Sequence, residues 1–170
     1  VKPNKEKCVL ACRYADQIEI VDLKSYKVLR TVRGPEGFEP EVVVMTGGDG
    51  KQLSTRGPDT RYSFIGGKAT DKYIYLLYSG NKEGGAHPFY GKYIYVYDWN
   101  GKPVKRIETG DYIIDFAVRK DDSKIYTYNP LTSMPIPLDF AEALNYFATD
   151  PELIWVEVEE AEIQRSEEDQ

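Results

Sequence analysis

"KYIYVYDWNGKPVKRIE", residues 92–108, has a near-copy upstream in "QIEIVDLKSYKVLRTV", residues 17–32. Each alternates between two sets of side chains, turns, and alternates again. A period of two marks a β-strand, and Asn-Gly is the favoured two-residue hairpin turn because both positions take positive φ. The stretch therefore predicts a hairpin with Asn100-Gly101 at its tip in a type I′ turn. Lys24-Ser25 occupies that slot in the upstream copy and predicts a different turn geometry. Asp22 and Asp98 precede the two turns, where a carboxylate accepts backbone N–H bonds.

The copies align without a gap at an offset of 76 residues, with Ile18 on Ile94, Ile20 on Val96 and Leu23 on Trp99. A second repeat has an offset of 51: "TDKYIYLLYS" (70–79) lies on "DDSKIYTYNP" (121–130), with Ile74 on Ile125. Many of the 14 tyrosines fall in these runs. In 93–99 one face carries Tyr93, Tyr95, Tyr97 and Trp99, and the other carries Ile94, Val96 and Asp98. Both faces need cover, whereas a sheet with one wet face alternates apolar and polar residues. Short strands, both faces apolar, repeating about every 40–50 residues, predict stacked propeller blades. A two-sheet sandwich fits the repeats less well.

In blade order A-B-C-D, the first set has B near 7–13, C near 17–22 and D near 27–33. The second has A near 62–68, B near 72–78, C near 92–98 and D near 103–108. The third has A near 112–118, B near 124–129 and C near 153–158. The reading is all-β: about three four-stranded antiparallel blades across 1–160, in pieces at 7–33, 62–108 and 112–158, followed by a disordered acidic tail at 161–170. "PEVVVM" (40–45) is extended but unassigned. Within 130–152, Asp139 can cap a short helix with Phe140, Leu144 and Phe147 on one face.

The formal net charge is −6 and residues 156–170 carry it, with seven acids and one Arg. A near-neutral body excludes the basic surface a nucleic-acid binder needs. There is no run of about 18 apolar residues to span a membrane. If Cys8 and Cys12 share a strand they stand roughly 13 Å apart, too far for a disulfide; buried, small side chains are the expectation for both.

"TDKYIYLLYSG", "YGKYIYVYDWNGKPVKRIE", "DYIIDFAVRKDDSKIYTYN" and "PELIWVEV", in that order, with "YKVLRTVRGPEGFEPEV" upstream, resemble the TolB-like six-bladed β-propeller proteins of bacteria. The resemblance implies an exported, often lipid-anchored protein that binds or scaffolds, in the periplasm or on the outer surface, and it carries over no catalytic residues. Six blades of roughly 40–50 residues each need well over 240 residues. The 170-residue chain is therefore expected to be the C-terminal half of such a ring, with any export signal upstream of it. As an isolated fragment it is expected to self-associate through exposed blade faces.

Strand order places the B–C and D–A connections on one face of the disc. The long ones, 34–61, 79–91 and 130–152, all belong to it, and function on such scaffolds concentrates in elaborated loops. There "SGNKEGGAHPFYG" (79–91) supplies His87, Phe89 and Tyr90; Asp59, Arg61 and Tyr112 complete the candidate binding set for a protein, peptide or glycan. The bland alternative is a glycine-rich loop whose rings fold back on the blade. "GDGK" (49–51 with Gly48) lacks the phosphate-loop pattern and reads as a turn, and Asp49, Asp59 and Asp111 match no calcium loop. With one histidine and no Gly-x-Ser-x-Gly elbow, no catalytic residue, metal ligand or cofactor is assigned. The alternative is a propeller hydrolase or lyase whose central-channel metal is completed by a missing N-terminal half; its inner strands here offer Arg61, Ser63, Asp111 and Asp115.

Overall fold

The computed structural model describes residues 1–130 and the short strand at 156–157. The strands are β1 (Lys7–Ala11), β2 (Gln17–Asp22), β3 (Val28–Arg33), β4 (Val42–Thr46), β5 (Gln52–Arg56), β6 (Phe64–Ala69), β7 (Tyr73–Tyr78), β8 (Gly91–Asp98), β9 (Pro103–Ile113), β10 (Asp115–Val118), β11 (Ile125–Tyr128) and β12 (Val156–Glu157). They form antiparallel sheets in the orders β1-β2-β3, β6-β7-β8-β9 and β10-β11-β12, with β4-β5 as a separate hairpin. The propeller reading therefore holds: the second sheet is a complete four-stranded blade, and the first and third are three-stranded. The helix expected after Asp139 and the acidic tail lie outside the described residues.

β7 and β8 show why both faces of "YIYLLY" and "KYIYVYDW" are apolar. On one side Ile74, Leu76, Tyr78, Tyr97 and Trp99 pack with Ile18 and Ile20 of the first sheet. On the other Tyr75, Leu77, Ile94 and Val96 pack with Phe116 of the third. The middle blade is thus sandwiched, which β-branched and aromatic residues on both faces permit.

Several expectations change. Asn100-Gly101 does not form a type I′ turn: only Gly101 has positive φ, at 80°. Asp98 N–H donates to Lys102 O at 3.0 Å and Gly101 N–H to Asp98 O at 3.0 Å. This is a three-residue loop with a glycine bulge, and Gly101 is needed there: a Cβ would lie 2.7 Å from Val32 Cγ2 of the neighbouring sheet. Asp98 Oδ1 accepts the N–H groups of Asn100 (2.8 Å) and Lys102 (2.9 Å), and Asp22 Oδ1 accepts that of Ser25 (2.6 Å). At the upstream turn the positive φ belongs to Tyr26.

The third sheet starts at Asp115 rather than at 112. The β8–β9 register jumps from Tyr93↔Glu108 to Gly91↔Ile113, so 109–112 form a bulge while β9 keeps Ile113. Residues 42–46 pair with 52–56, and "GDGK" forms their turn, closed by Gly47 N–H to Lys51 O at 2.8 Å. The cysteines are not both buried: Cys8 is half-buried and Cys12 exposed, both as free thiols. They stand in and just after β1, on the alternation opposite to Val9, which packs toward the middle blade.

Candidate functional site

Main-chain bonds draw two of the long connections, 34–61 and 79–91, together; the third, 130–152, lies outside the described residues beyond Pro130. The β7–β8 loop is stitched to the segment before β6: Tyr62 N–H donates to Asn81 O (2.9 Å), Gly80 N–H to Tyr62 O (2.9 Å) and Glu83 N–H to Thr60 O (2.8 Å). The loop also holds itself in shape. The Asn81 side-chain amide donates to His87 O (2.9 Å) and Tyr90 O (3.3 Å), and the Ser79 hydroxyl donates to Pro88 O (2.8 Å).

The six candidate residues divide into three groups. His87 lies with its ring centroid 5.2 Å from Tyr90 and 5.6 Å from Tyr112, and the Lys92 ammonium sits 4.5 Å over Tyr112. Phe89 stacks instead on Tyr62 at 4.6 Å, and Tyr62 on Tyr14 at 5.4 Å; Phe89 remains 49% exposed. Asp59 and Arg61 form a third group, an exposed ion pair and a loop tie. Asp59 pairs with Lys82 at 2.6 Å. Arg61 donates to Gly80 O from Nε (2.9 Å) and Nη2 (2.7 Å), pairs with Glu36, and lies 4.6 Å over the Phe38 ring. Arg56 extends the Phe89 group, stacking over Tyr14 at 4.6 Å and pairing with Glu83 at 3.1 Å.

The residue that organises this face escaped the sequence reading. Asp16, between β1 and β2, is fully buried. Its Oδ2 accepts the N–H groups of Glu36 and Gly37, both at 2.6 Å, and its Oδ1 accepts the Ser63 hydroxyl at 3.1 Å. Its own backbone N–H donates to Phe38 O, and its carbonyl accepts from Gly34, each at 2.9 Å. Gly34 must be glycine, because a Cβ would fall 1.7 Å from Asp16 Oδ1. One carboxylate thus ties the first sheet to both ends of the 34–63 connection. Nothing in "CRYADQ" separates this aspartate from a solvated turn residue; the partners of its carboxylate are 20 or more residues away.

Buried tyrosines surround the clamp. The Tyr78 hydroxyl is buried without a hydrogen-bond partner among the described residues, and burial, then the charges of Asp16 and Glu36, raise its pKa. Burial likewise raises Tyr95, and burial followed by the Asp16 charge pushes Tyr97 from 10.0 up to about 12. A hydroxyl that ionises later in the folded chain than in the unfolded one destabilises the fold as pH rises between those two values. Stability measured by urea unfolding is therefore expected to hold up to about pH 10 and fall between pH 10.0 and about 12. Tyr97→Phe should make that fall shallower; an unchanged slope would show that Tyr97 does not contribute to it.

The inner-strand polar residues are occupied. Ser63 serves the clamp, Lys68 holds Asp115 at 3.0 Å, and Asn129 donates to Asp111 Oδ2 at 2.7 Å. Among the described residues no three His, Cys, Asp or Glu side chains are grouped to hold a metal.

The sequence matches the family model described as TolB-like 6-blade propeller-like over residues 1–121. The chain belongs to that family. No curated protein matches it. The matched range of this TolB-like chain takes in the first sheet, the complete blade, the β4–β5 hairpin, β10 and all six candidate residues. No helix among the described residues is long and apolar enough to cross a membrane.

Proposed function

We propose that this TolB-like chain is a non-enzymatic binding or scaffold propeller of the bacterial cell envelope, exported to the periplasm or outer surface, that holds a protein, peptide or glycan on the face formed by 34–61 and 79–91. The observation that carries this reading is Phe89: a half-exposed ring presented on Tyr62 and Tyr14 by a loop whose backbone is pinned by Asn81 and Ser79. A rigid aromatic platform costs little conformational entropy on binding, and such rings dominate binding energy where they occur. His87, Tyr90 and Tyr112 extend the platform, and Asp59 and Arg61 fix its base. Self-association of the isolated chain belongs to the same reading, because the first sheet leaves Leu10, Val28 and Leu29 exposed.

Screening the chain against glycan and peptide arrays, followed by titration of the hits, tests the proposal. Phe89→Ala is expected to weaken binding by roughly tenfold or more while leaving the melting temperature nearly unchanged, since the ring is half in solvent. Hits that bind Phe89→Ala and the unaltered chain equally would place the ligand elsewhere.

A further inference from the structure

The charged side chains around the Phe89 platform are paired. The connections 34–61 and 79–91 contain four Lys and Arg residues, Lys51, Arg56, Arg61 and Lys82. Their carboxylate partners are Asp49 (3.0 Å), Glu83 (3.1 Å), Glu36 and Asp59 (2.6 Å) in that order. Of the acids that remain, Glu39 pairs with Arg33 at 2.5 Å, and Glu41 lies against Gly57 at the foot of the β4–β5 hairpin. Tyr62 joins one of these ion pairs to Phe89. Its ring meets Phe89 at 4.6 Å, and its hydroxyl donates to Glu83 Oε1 at 3.1 Å. Arg56, the partner of Glu83, also donates to the Tyr14 hydroxyl and covers the Tyr14 ring, which fixes the guanidinium. Both side chains of the pair still reach solvent, Arg56 at 46% and Glu83 at 36% exposure. An exposed ring therefore stands one tyrosine's length from a donor and an acceptor that together carry no net charge.

We propose that the ligand of this platform is a neutral carbohydrate, with one pyranose stacked by its C–H face on Phe89 and hydroxyls of that sugar or the next bonded to Arg56 and Glu83. The site is the platform proposed above, narrowed to one ligand class, and it stands only if that platform binds. The face of an aromatic ring is electronegative and attracts the slightly positive C–H groups of a sugar ring. A sugar hydroxyl both donates and accepts, and a guanidinium beside a carboxylate answers both needs at once. Pairing of the charges also selects. An anionic ligand finds each base already beside a carboxylate, a cationic one meets Arg56 next to Glu83, and like-charge contact costs affinity. An extended peptide binds by pairing along an open strand edge, whereas the backbone around Phe89 uses its carbonyls internally. Asn81 takes those of His87 and Tyr90, and Ser79 takes that of Pro88.

The test titrates the 170-residue chain by calorimetry with neutral maltotetraose, cellotetraose and chitotetraose. Two charged counterparts are tetragalacturonate and fully deacetylated chitotetraose, the latter in mildly acidic buffer where its amines are charged. At least one neutral sugar is expected to bind saturably, about tenfold tighter than either charged one. Phe89→Ala should weaken that binding by roughly tenfold or more, and Phe89→Trp should retain it. Glu83→Gln keeps an oxygen for the Tyr62 hydroxyl but strips Arg56 of its counter-charge. It should therefore shift preference toward tetragalacturonate by about tenfold, and Arg56→Gln should shift it as far toward the cationic sugar. Equal losses for every sugar in both variants would overturn the place of this pair in the site. Should either variant not fold, the sugar comparison on the unaltered chain and Phe89→Ala still decide. Absence of saturable binding to all three neutral sugars, or equal binding of the charged ones, would overturn the proposal. If peptides then bind in a Phe89-dependent way, the platform stands and only its ligand class falls. Neutral-sugar binding that Phe89→Ala leaves intact would overturn the platform as well.

Discussion

Asp16→Ala is expected to lower the unfolding free energy by about 3–5 kcal/mol, the largest effect of a polar substitution among the described residues. The change strands three donors in a dry site: the Glu36 and Gly37 N–H groups and the Ser63 hydroxyl. A buried donor left without an acceptor costs about 1–3 kcal/mol, and bonds to a charged acceptor are the stronger ones. Asp16→Asn keeps the shape and one accepting oxygen, and Ser63 can reverse its hydroxyl to accept from the amide, so a clearly smaller loss is expected. Urea unfolding followed by circular dichroism gives both values. Equal losses for Ala and Asn would mean that charge, not hydrogen-bond geometry, is what the site requires. Because the clamp also sets the start of the 34–63 connection, Asp16→Asn should retain array binding wherever it retains the fold.

Phe116→Ala is the corresponding apolar test, with an expected loss of about 3–5 kcal/mol. Its ring is completely buried where β10 meets the middle blade, against Tyr75, Leu77, Ile94 and Val96. Removing it takes away the contact and leaves a cavity that two sheets, each fixed by its own hydrogen bonds, cannot easily collapse. The loss should be unevenly distributed. Amide exchange is expected to quicken first in β10 and β11, whose docking depends on the ring, and later in β7 and β8, which keep the Ile18 and Ile20 contacts on their other side. Phe116→Leu should recover most of the stability. Uniform acceleration across all sheets would show that the blades open together, not one at a time.

The blades were legible in the sequence because their signal is local and repeated. "KYIYVYDW" and "YIYLLY" carry apolar residues on both faces, and only a strand enclosed between two other sheets calls for that pattern. Turn geometry was less legible. Asn-Gly favours two positive φ angles, but the chain makes a three-residue loop because Gly101 must slip beside Val32 of the adjacent sheet, and that neighbour comes from a segment some 70 residues upstream. The strand "VVVM" was visible, but its partner "QLSTR" has little β-propensity and gains its pairing from the tight "GGDGK" turn. Of the candidate site, the aromatic loop could be read from its composition. The division of its rings into a His87–Tyr90–Tyr112 group and a Phe89–Tyr62–Tyr14 group could not, since Tyr14 and Tyr112 arrive from distant parts of the chain. Asp16 was invisible for the same reason: burial is a property of what surrounds a residue, and its surroundings are assembled from three separate segments.

The β4–β5 hairpin leaves the connection between the first two sheets at Glu41 and returns at Gly57, where Gly57 N–H meets Glu41 O at 3.4 Å. Its exit and entry points are therefore almost the same place, and Val42, Val44, Met45 and Leu53 are exposed along it. A segment whose two ends are already joined can be lengthened, shortened or exchanged at small cost in loop-closure entropy, without altering the distance its neighbours must span. The arm is therefore a detachable module: its reach and chemistry can be changed while the blades beneath it, locked by Asp16 and by packing on both faces, stay as they are.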